Sequence, residues 1–283
     1  MPDHAAQTFQ QIPSPTEHSF CALLTAYHKQ QLFERVFQLF DSVPIGRGIL
    51  PGVAAHNVLL ASLCQTGKMD EARNLLDEMR KKKGLEPDIV SYNTILNGFL
   101  KRGDQDVFAD ILNEINCKAI APDIVTYNLK MANFCKRKES FKAEELLDVM
   151  IYKGIHPNLS TFNTLIKGFC NERDSDSAMR VFKRMKATNG ASGKERISPS
   201  ADTYILLIRC LVDKEEFTQA LQVCKECLTR RYAPPFETMK VLINGLAKTS
   251  KVDLAKYLVE KMRMVNKGDA VAAWTKLEGE LLV

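Results

Sequence analysis

Amide and carboxylate side chains recur along this chain at a nearly constant spacing. Asparagine stands at positions 57, 93, 128 and 163, so successive copies lie 36, 35 and 35 residues apart. A second polar series closes the intervals, at Asp88, Asp123, Asn158 and Ser200. An amide donates and accepts hydrogen bonds, whereas an ionised carboxylate only accepts them. Asparagine near a helix start is also an ordinary turn or cap residue, so recognition and capping both remain open at this point.

The spacing of these residues reflects an internal repeat. One copy opens with Ile-Val-Ser-Tyr-Asn at Ile89–Asn93 and the next with Ile-Val-Thr-Tyr-Asn at Ile124–Asn128, 35 residues later. An aromatic or Met residue holds the opening slot at Tyr92, Tyr127, Phe162, Tyr204 and Met239. Prolines recur near the end of each copy, at Pro51, Pro87, Pro122, Pro157, Pro199 and Pro234. A fixed period of this size predicts a stacked repeat array.

Each copy contains two stripes of apolar residues at helical spacing. Tyr92, Ile95, Leu96 and Phe99 form the first stripe, and Val107, Phe108, Ile111, Leu112 and Ile115 form the second. Gly103 interrupts the pattern, Asp104 is a candidate cap, and Pro122 ends the unit. One helical hairpin cannot bury both stripes alone, but stacked neighbours can. The sequence therefore predicts an all-α fold, a right-handed α-solenoid of helix–turn–helix repeats.

The repeat period divides the chain into nine segments. We predict a partial repeat holding only a second helix at 1–16, a degenerate repeat at 17–52, repeats at 53–88, 89–123, 124–158, 159–200 and 201–235, a degenerate repeat at 236–270 and a capping helix at 271–283. A Gly/Ser-rich stretch, Ala187–Lys194, predicts a loop insertion in the 159–200 repeat. The chain opens within a repeat, so we expect truncation that removes a transit peptide; a natural short start is the alternative.

Composition and motifs limit the function. The net charge of +5 is only mildly basic, and no apolar run approaches the roughly 18 residues of a membrane span. Phosphate-binding loops, deaminase motifs and nucleophile elbows are missing from the sequence. We therefore expect no enzyme, no cofactor, no small-molecule substrate and no membrane partner.

Cysteines offer a metal or redox interpretation that the repeat period disfavours. Cys224 and Cys227 form a Cys-x-x-Cys pair, but they occupy slots that hold core residues such as Phe182 and Met185 in another repeat. Buried free cysteine acts as a small hydrophobic residue. A second cysteine or histidine pair at ligand spacing is missing, so we predict neither zinc nor disulfides and expect a reducing compartment.

The unit resembles the pentatricopeptide repeat (PPR) family, in its P-type form. The closest motifs are Asp88–Ile95 (Asp-Ile-Val-Ser-Tyr-Asn-Thr-Ile) and Asp123–Asn128, and the similarity extends from Glu17 to about Ala270. The tetratricopeptide repeat has a 34-residue unit and a Trp/Gly/Tyr signature that this chain lacks. The resemblance implies a plant organellar protein that binds single-stranded RNA, mitochondrial or alternatively chloroplast.

The resemblance also implies a role for each recurring residue. In the family, two side chains of each repeat read one base. Carried onto this chain, the base-reading pairs are Asn57 with Asp88, Asn93 with Asp123, Asn128 with Asn158, and Asn163 with Ser200. The residues that sandwich bases are Ala54, Val90, Val125 and Ser160, and those near phosphate are Lys101, Lys136 and Lys248. Three further pairs, Cys21/Gly52, Ile205/Pro235 and Lys240/Ala270, do not fit the family's pairing rule.

Two functions follow from this resemblance. The first is a sequence-selective binder of single-stranded RNA in organellar RNA metabolism, reading U, U, then C or U, then weakly C. The alternative is a structural component of a mitochondrial ribosome or another ribonucleoprotein, with ribosomal or other organellar proteins as partners.

Overall fold

The structure is a computed structural model that describes residues 2–190, 196–265 and 270–280. It divides into two compact units, residues 1–129 and 130–283. The described residues form α-helices and one isolated bridge between Asn189 and Arg196, with no β-strand. The helices are α1 (Pro2–Gln11), α2 (Glu17–Lys29), α3 (Phe33–Arg47), α4 (Val53–Gln65), α5 (Met69–Lys81), α6 (Ile89–Arg102), α7 (Gln105–Cys117), α8 (Ile124–Lys136), α9 (Ser140–Tyr152), α10 (Leu159–Asn171), α11 (Ser175–Ala187), α12 (Ala201–Asp213), α13 (Phe217–Thr229), α14 (Phe236–Lys248), α15 (Val252–Val265) and α16 (Ala270–Glu280).

The hairpin of α6 and α7 shows how the sequence pattern becomes structure. Tyr92, Ile95 and Leu96 of the first stripe are fully buried. Gly103 ends α6 in a left-handed conformation, with φ of 88°, which glycine adopts without steric cost. Asp104 then caps α7 by accepting a hydrogen bond from the Val107 N–H at 3.3 Å, as the sequence predicts. The two helices therefore pack as one hairpin.

Successive hairpins stack through their first helices. Helix α2 packs on α4 and α4 on α6 in the first unit, while α10 packs on α12 and α12 on α14 in the second. These first helices form a wall in each unit, which we call the first-helix wall. The all-α solenoid class predicted from the repeat is confirmed.

Glycines permit close packing between neighbouring repeats. A Cβ on Gly98 would lie 2.9 Å from the Cys64 sulfur, and one on Gly168 would lie 2.4 Å from the Cys135 sulfur. In α12 the tenth helical residue, equivalent to these two glycines, is Cys210, whose proximity raises the pKa of the Cys170 thiol. The repeat period did not predict this contact between two thiols.

The second helices are linked by ion pairs instead. In the first unit, Glu114 of α7 pairs with Arg73 and Arg80 of α5, the latter at 3.3 Å. In the second unit, Arg180 of α11 pairs with Glu144 of α9 at 2.7 Å. Such partly exposed pairs each contribute little to the free energy of unfolding, so apolar packing must carry most of the stacking.

The last described helix, α16, packs against the rest of the second unit through apolar side chains. In α16, Trp274 and Leu277 are buried, and the Trp274 ring lies 4.6 Å from the ring of Phe236. The predicted capping helix thus packs these two apolar side chains within the second unit. Positions 281–283 of the predicted capping helix lie outside the described residues, as do positions 191–195 of the predicted loop insertion.

Candidate functional site

The recurring polar residues occupy two fixed positions relative to the helices. Asn57, Asn93, Asn128 and Asn163 are each the fifth residue of a first helix. The closing residues Asp88, Asn158 and Ser200 are the N-caps of α6, α10 and α12, and Asp123 directly precedes α8. Capping chemistry therefore accounts for the closing series but not for the asparagines, which lie one turn inside their helices.

The clearest arrangement joins Asn93 to the start of the next first helix. The Asn93 Nδ2 donates to Asp123 Oδ1 at 2.9 Å, and the Thr126 Oγ1 lies 2.8 Å from Asn93 Oδ1 and 2.9 Å from Asp123 Oδ1. The Thr126 N–H also donates to Asp123 Oδ1 at 2.9 Å. Amide, carboxylate and hydroxyl thus form one cluster between α6 and α8, within the first unit.

The preceding repeat has the same cluster with serine in place of threonine. The Asn57 Nδ2 donates to Asp88 Oδ1 at 3.1 Å, and the Ser91 hydroxyl lies 2.5 Å from Asn57 Oδ1. The Ser91 N–H donates to Asp88 Oδ1 at 2.9 Å. In both repeats the asparagine amide and the backbone N–H donate to the same carboxylate oxygen, Oδ1.

The second unit holds a variant of the cluster without a carboxylate. Thr203 Oγ1 donates to Asn163 Oδ1 at 2.8 Å and lies 3.1 Å from Ser200 Oγ. Asn163 and Ser200 are therefore linked through Thr203. Both also line an open surface depression together with Asn158 and Ser160. Asn128 belongs to the first unit and Asn158 to the second, so their pairing stays a prediction.

The hydrogen bonds around Asp123 control its ionisation. Burial, the largest contribution, raises the pKa of this carboxyl, but the bonds from Thr126 and Asn93 together outweigh it and hold the pKa below its ordinary value. At neutral pH the group is thus a carboxylate, and it can only accept hydrogen bonds.

The remaining predicted residues lie on exposed parts of the first helices. Val90 and Val125 are 52% and 46% exposed, and Ala54 and Ser160 are exposed as well. All four are the second residue of their helix, one turn before the asparagine. The three lysines are exposed near the opposite helix end, at Lys101, Lys136 and Lys248. Along α6, the exposed Val90 side chain, the buried amide of Asn93 and the exposed Lys101 thus follow one another from the start of the helix to its end.

Three further pairs lack this chemistry. Gly52 and Pro235 are the N-caps of α4 and α14, and neither provides a side-chain cap. Their partners are Cys21 and Ile205, and the side chain of Ala270 is not described. These repeats therefore fold with the same helices but present no amide–carboxylate pair.

The sequence interpretation missed the hydroxyls of Ser91, Thr126 and Thr203. Each follows its closing residue by three positions, a spacing that predicts a capping box. The capping box is present at Asp88 and Ser200, so this spacing was a usable signal. The bond back to the previous helix depends on the distance between stacked repeats, which the spacing does not give.

A metal or membrane interpretation finds no support in the described part of the chain. No group of three or more His, Cys, Asp or Glu residues there could hold a metal ion. Burial raises the pKa of the Cys224 thiol to about 12 and that of Cys227 to about 11, so both are protonated at neutral pH. Among the same described residues, no helix has the length and apolar character needed to span a bilayer.

Comparisons with known proteins agree with this architecture. A family model described as the PPR repeat family matches residues 51–101, 87–136, 122–171 and 157–213, and a PPR repeat model matches 237–266. The small ribosomal subunit protein mL103 (rPPR7) of Arabidopsis thaliana is 29% identical over 99% of this chain and 67% of its own length. The protein mS78 (rPPR3a) of the same plant is 33% identical over an alignment that spans 28% of this chain and 21% of the relative's own length.

Solved structures show the same fold. The protein PPR10, crystallised with an 18-nt psaJ RNA element, matches 95% of this chain and 39% of its own chain at a TM-score of 0.60 and 20% identity. The PPR domain of Arabidopsis thaliana protein-only RNase P 1, in complex with tRNA, matches 66% of this chain at a TM-score of 0.52 and 18% identity. Since family models cover more than half of its residues, this chain belongs to the pentatricopeptide repeat family.

Proposed function

We propose that this protein binds single-stranded RNA sequence-selectively and acts in organellar RNA metabolism. It would read a short pyrimidine-rich stretch, one base per repeat, and act by occupying its site. Two consecutive repeats carry an asparagine amide bonded to an aspartate carboxylate in the same geometry, and this observation carries the proposal. Bound there, the protein would protect the RNA from nucleases, block base pairing or recruit other proteins.

Hydrogen-bonding chemistry favours uracil at these two repeats. The carboxylates of Asp88 and Asp123 can only accept hydrogen bonds, which suits the N3–H of uracil, whereas N3 of cytosine carries no hydrogen. The third pair, Asn128 with Asn158, has two amides and would accept either pyrimidine, and Asn163 with Ser200 would favour cytosine weakly. The proposed reading is therefore U, U, C or U, then C.

Non-specific contacts would supply much of the affinity. The exposed Val90 and Val125 side chains offer apolar surfaces between neighbouring bases, and stacking contributes roughly 1–3 kcal/mol per base in single-strand binders. The exposed lysines 101, 136 and 248 would neutralise phosphates. Affinity should then fall with salt, with a log–log slope of about −0.7 per phosphate neutralised.

The test is binding of the purified chain to short RNAs measured by fluorescence anisotropy. We expect tighter binding to a pyrimidine-rich strand than to poly-A, with preference for U at two adjacent positions. Exchanging Asp88 and Asp123 for Asn should weaken that preference. The control is Asp110→Asn, which removes the same charge from an exposed position on α7. Equal binding of poly-A, or an unchanged U preference in the double variant, would contradict the assignment.

A structural role in a ribonucleoprotein is the second candidate. Two of the Arabidopsis relatives are named as ribosomal subunit proteins, and one of them aligns along nearly the whole chain. Several repeats also lack a readable pair. Sedimentation of extracts from plant mitochondria and chloroplasts on sucrose gradients would decide, since this role requires the protein to travel with ribosomal subunits. A free monomer or a small RNA complex would favour the first function. Detection of the protein in the mitochondrial or the chloroplast extract would also establish in which organelle it is located.

A further inference from the structure

A buried hydroxyl recurs at the third residue of the first helices. Ser91, Thr126 and Thr203 are each 0% exposed and lie 2.5 to 2.8 Å from the Oδ1 of an asparagine on the preceding first helix. Ser19 holds the same position in α2 and closes a capping box with Thr16. A capping box therefore forms there without an asparagine partner, and the contact to the previous repeat is a separate feature.

The cluster leaves the asparagine amide one orientation. The Asp123 carboxylate can only accept, so the neighbouring amide group of Asn93 must be its NH₂. Thr126 Oγ1 already accepts from the Asp123 N–H at 3.3 Å, and its single hydrogen points to the acceptors Asn93 Oδ1 and Asp123 Oδ1. Rotating the amide by half a turn would place its oxygen against the carboxylate, so that two acceptors face each other, and would remove the hydrogen bond from the Thr126 hydroxyl to Asn93 Oδ1.

The fixed amide determines what a base would meet. Asn93 uses one Nδ2 hydrogen on Asp123 Oδ1, and its second hydrogen remains for a ligand. The bonds among these three residues all use Asp123 Oδ1, and the Val125 N–H also donates to the carboxylate. Because a carboxylate has about four acceptor sites, Oδ2 can still accept from a base. A donor beside an acceptor matches the carbonyl and N3–H of uracil. A rotated amide would present a carbonyl beside a carboxylate. Two neighbouring acceptors do not match the carbonyl and N3–H of uracil.

We propose that Ser91, Thr126 and Thr203 are positioning residues for base selection, because each fixes the amide of the asparagine on the preceding repeat. This inference rests on the proposed function. Each hydroxyl would affect only the base read by that asparagine. Removing one should therefore change selectivity at a single position in the RNA and leave the neighbouring positions unchanged.

The experiment compares Thr126→Val, which replaces the hydroxyl with a methyl group of similar size, with Thr126→Ser, which retains the hydroxyl. The matched control is Thr238→Val, since Thr238 is the third residue of α14, where the corresponding pair is Ile205 and Pro235. Each full-length variant is titrated with a set of RNAs in which every pyrimidine is exchanged in turn between U and C. Circular dichroism melting establishes that each variant is folded.

We expect Thr126→Val to lower the U-over-C ratio by about tenfold at one RNA position, as expected for the loss of one well-placed hydrogen bond. Thr126→Ser should keep the wild-type ratio, and Thr238→Val should change it nowhere. If Thr126→Val does not fold, Ser91→Ala provides the same comparison at the adjacent position.

Two outcomes would overturn the proposal. In the first, a folded Thr126→Val protein keeps the wild-type ratio at every position. In the second, Thr126→Val and Thr238→Val reduce all ratios alike, which is the behaviour of a purely structural residue. A wild-type protein with no U preference at any position would instead contradict the proposed function itself, and this inference with it.

Discussion

The start of α8 and the start of α14 share their fold but differ in chemistry. Both helices are 13 residues long and both carry a threonine at the third position, Thr126 and Thr238. Before α8 stands Asp123, bonded to Asn93, whereas α14 begins after Pro235, which makes no side-chain cap bond. A first helix therefore forms without the amide–carboxylate pair. The pair is not a requirement of folding, and this difference favours a role in recognition.

The largest expected effect concerns how closely a first helix packs against the second helix of the preceding repeat. A Cβ on Gly245 would lie 2.1 Å from the Phe217 ring, whereas one on Gly98 would meet the flexible end of Met69 at 2.5 Å. The stiff ring should accommodate the methyl group less well. We expect Gly245→Ala to lower the free energy of unfolding by about 1–3 kcal/mol and Gly98→Ala by less, measured by urea denaturation. Equal losses of unfolding free energy in the two variants would show that the neighbouring side chains do not determine how well the added methyl group is accommodated.

A second prediction concerns the start of α14, where two substitutions would introduce the amide–carboxylate pair that it lacks. Ile205→Asn with Pro235→Asp would complete the cluster around Thr238. We expect the double variant to gain about a tenfold U preference at one additional RNA position, which corresponds to ~1.4 kcal/mol. The single variants should gain little, because each supplies only half of the pair. The measurement is anisotropy with RNAs extended by one variable base. If either single variant alone gains the additional U preference, the amide and the carboxylate do not act together in base selection.

The smallest expected effect is a pH dependence confined to the first region. The folded-state pKa of Asp123 is depressed, so its contribution to stability is fully present above the unfolded-state value of about 3.9 and is lost as pH falls through the lower folded-state pKa. Thermal unfolding of wild type and Asp123→Asn should therefore differ at pH 7 and converge below about pH 4. The difference in unfolding temperature between wild type and Thr238→Val should stay constant from pH 7 to below about pH 4. If the unfolding temperatures of wild type and Asp123→Asn differ by the same amount at every pH, the Asp123 carboxylate does not stabilise the folded state through its lowered pKa.

The sequence predicted the helices and the polar positions well, for a physical reason. Apolar residues at 3.6-residue spacing determine which helix faces are buried, and the 35-residue period places the same side chain at the same helical turn in each repeat. Periodicity therefore placed these residues at equivalent positions, and the pairs that the family resemblance implied, Asn57 with Asp88 and Asn93 with Asp123, are hydrogen-bonded in the structure.

Contacts that depend on the distance between stacked helices could not be predicted in this way. Thr126 reaches Asn93, and the thiols of Cys170 and Cys210 meet, only because neighbouring first helices approach closely. Periodicity determines the direction of a side chain but not how far the next helix lies from it. For this reason neither the hydroxyl contacts nor the cysteine contact could be inferred from the repeat.

The cluster formed by Asn93, Asp123 and Thr126 has a consequence for how such proteins can be recombined. The amide lies in one repeat and the hydroxyl in the next, so the proposed recognition unit is out of phase with the helical hairpin. A cassette cut between Asp123 and Ile124 would preserve every hairpin but separate the Asn93 amide from the hydroxyl of Thr126 that we propose orients it. Grafts that begin before Asn93 and end after Thr126 keep the proposed recognition unit whole.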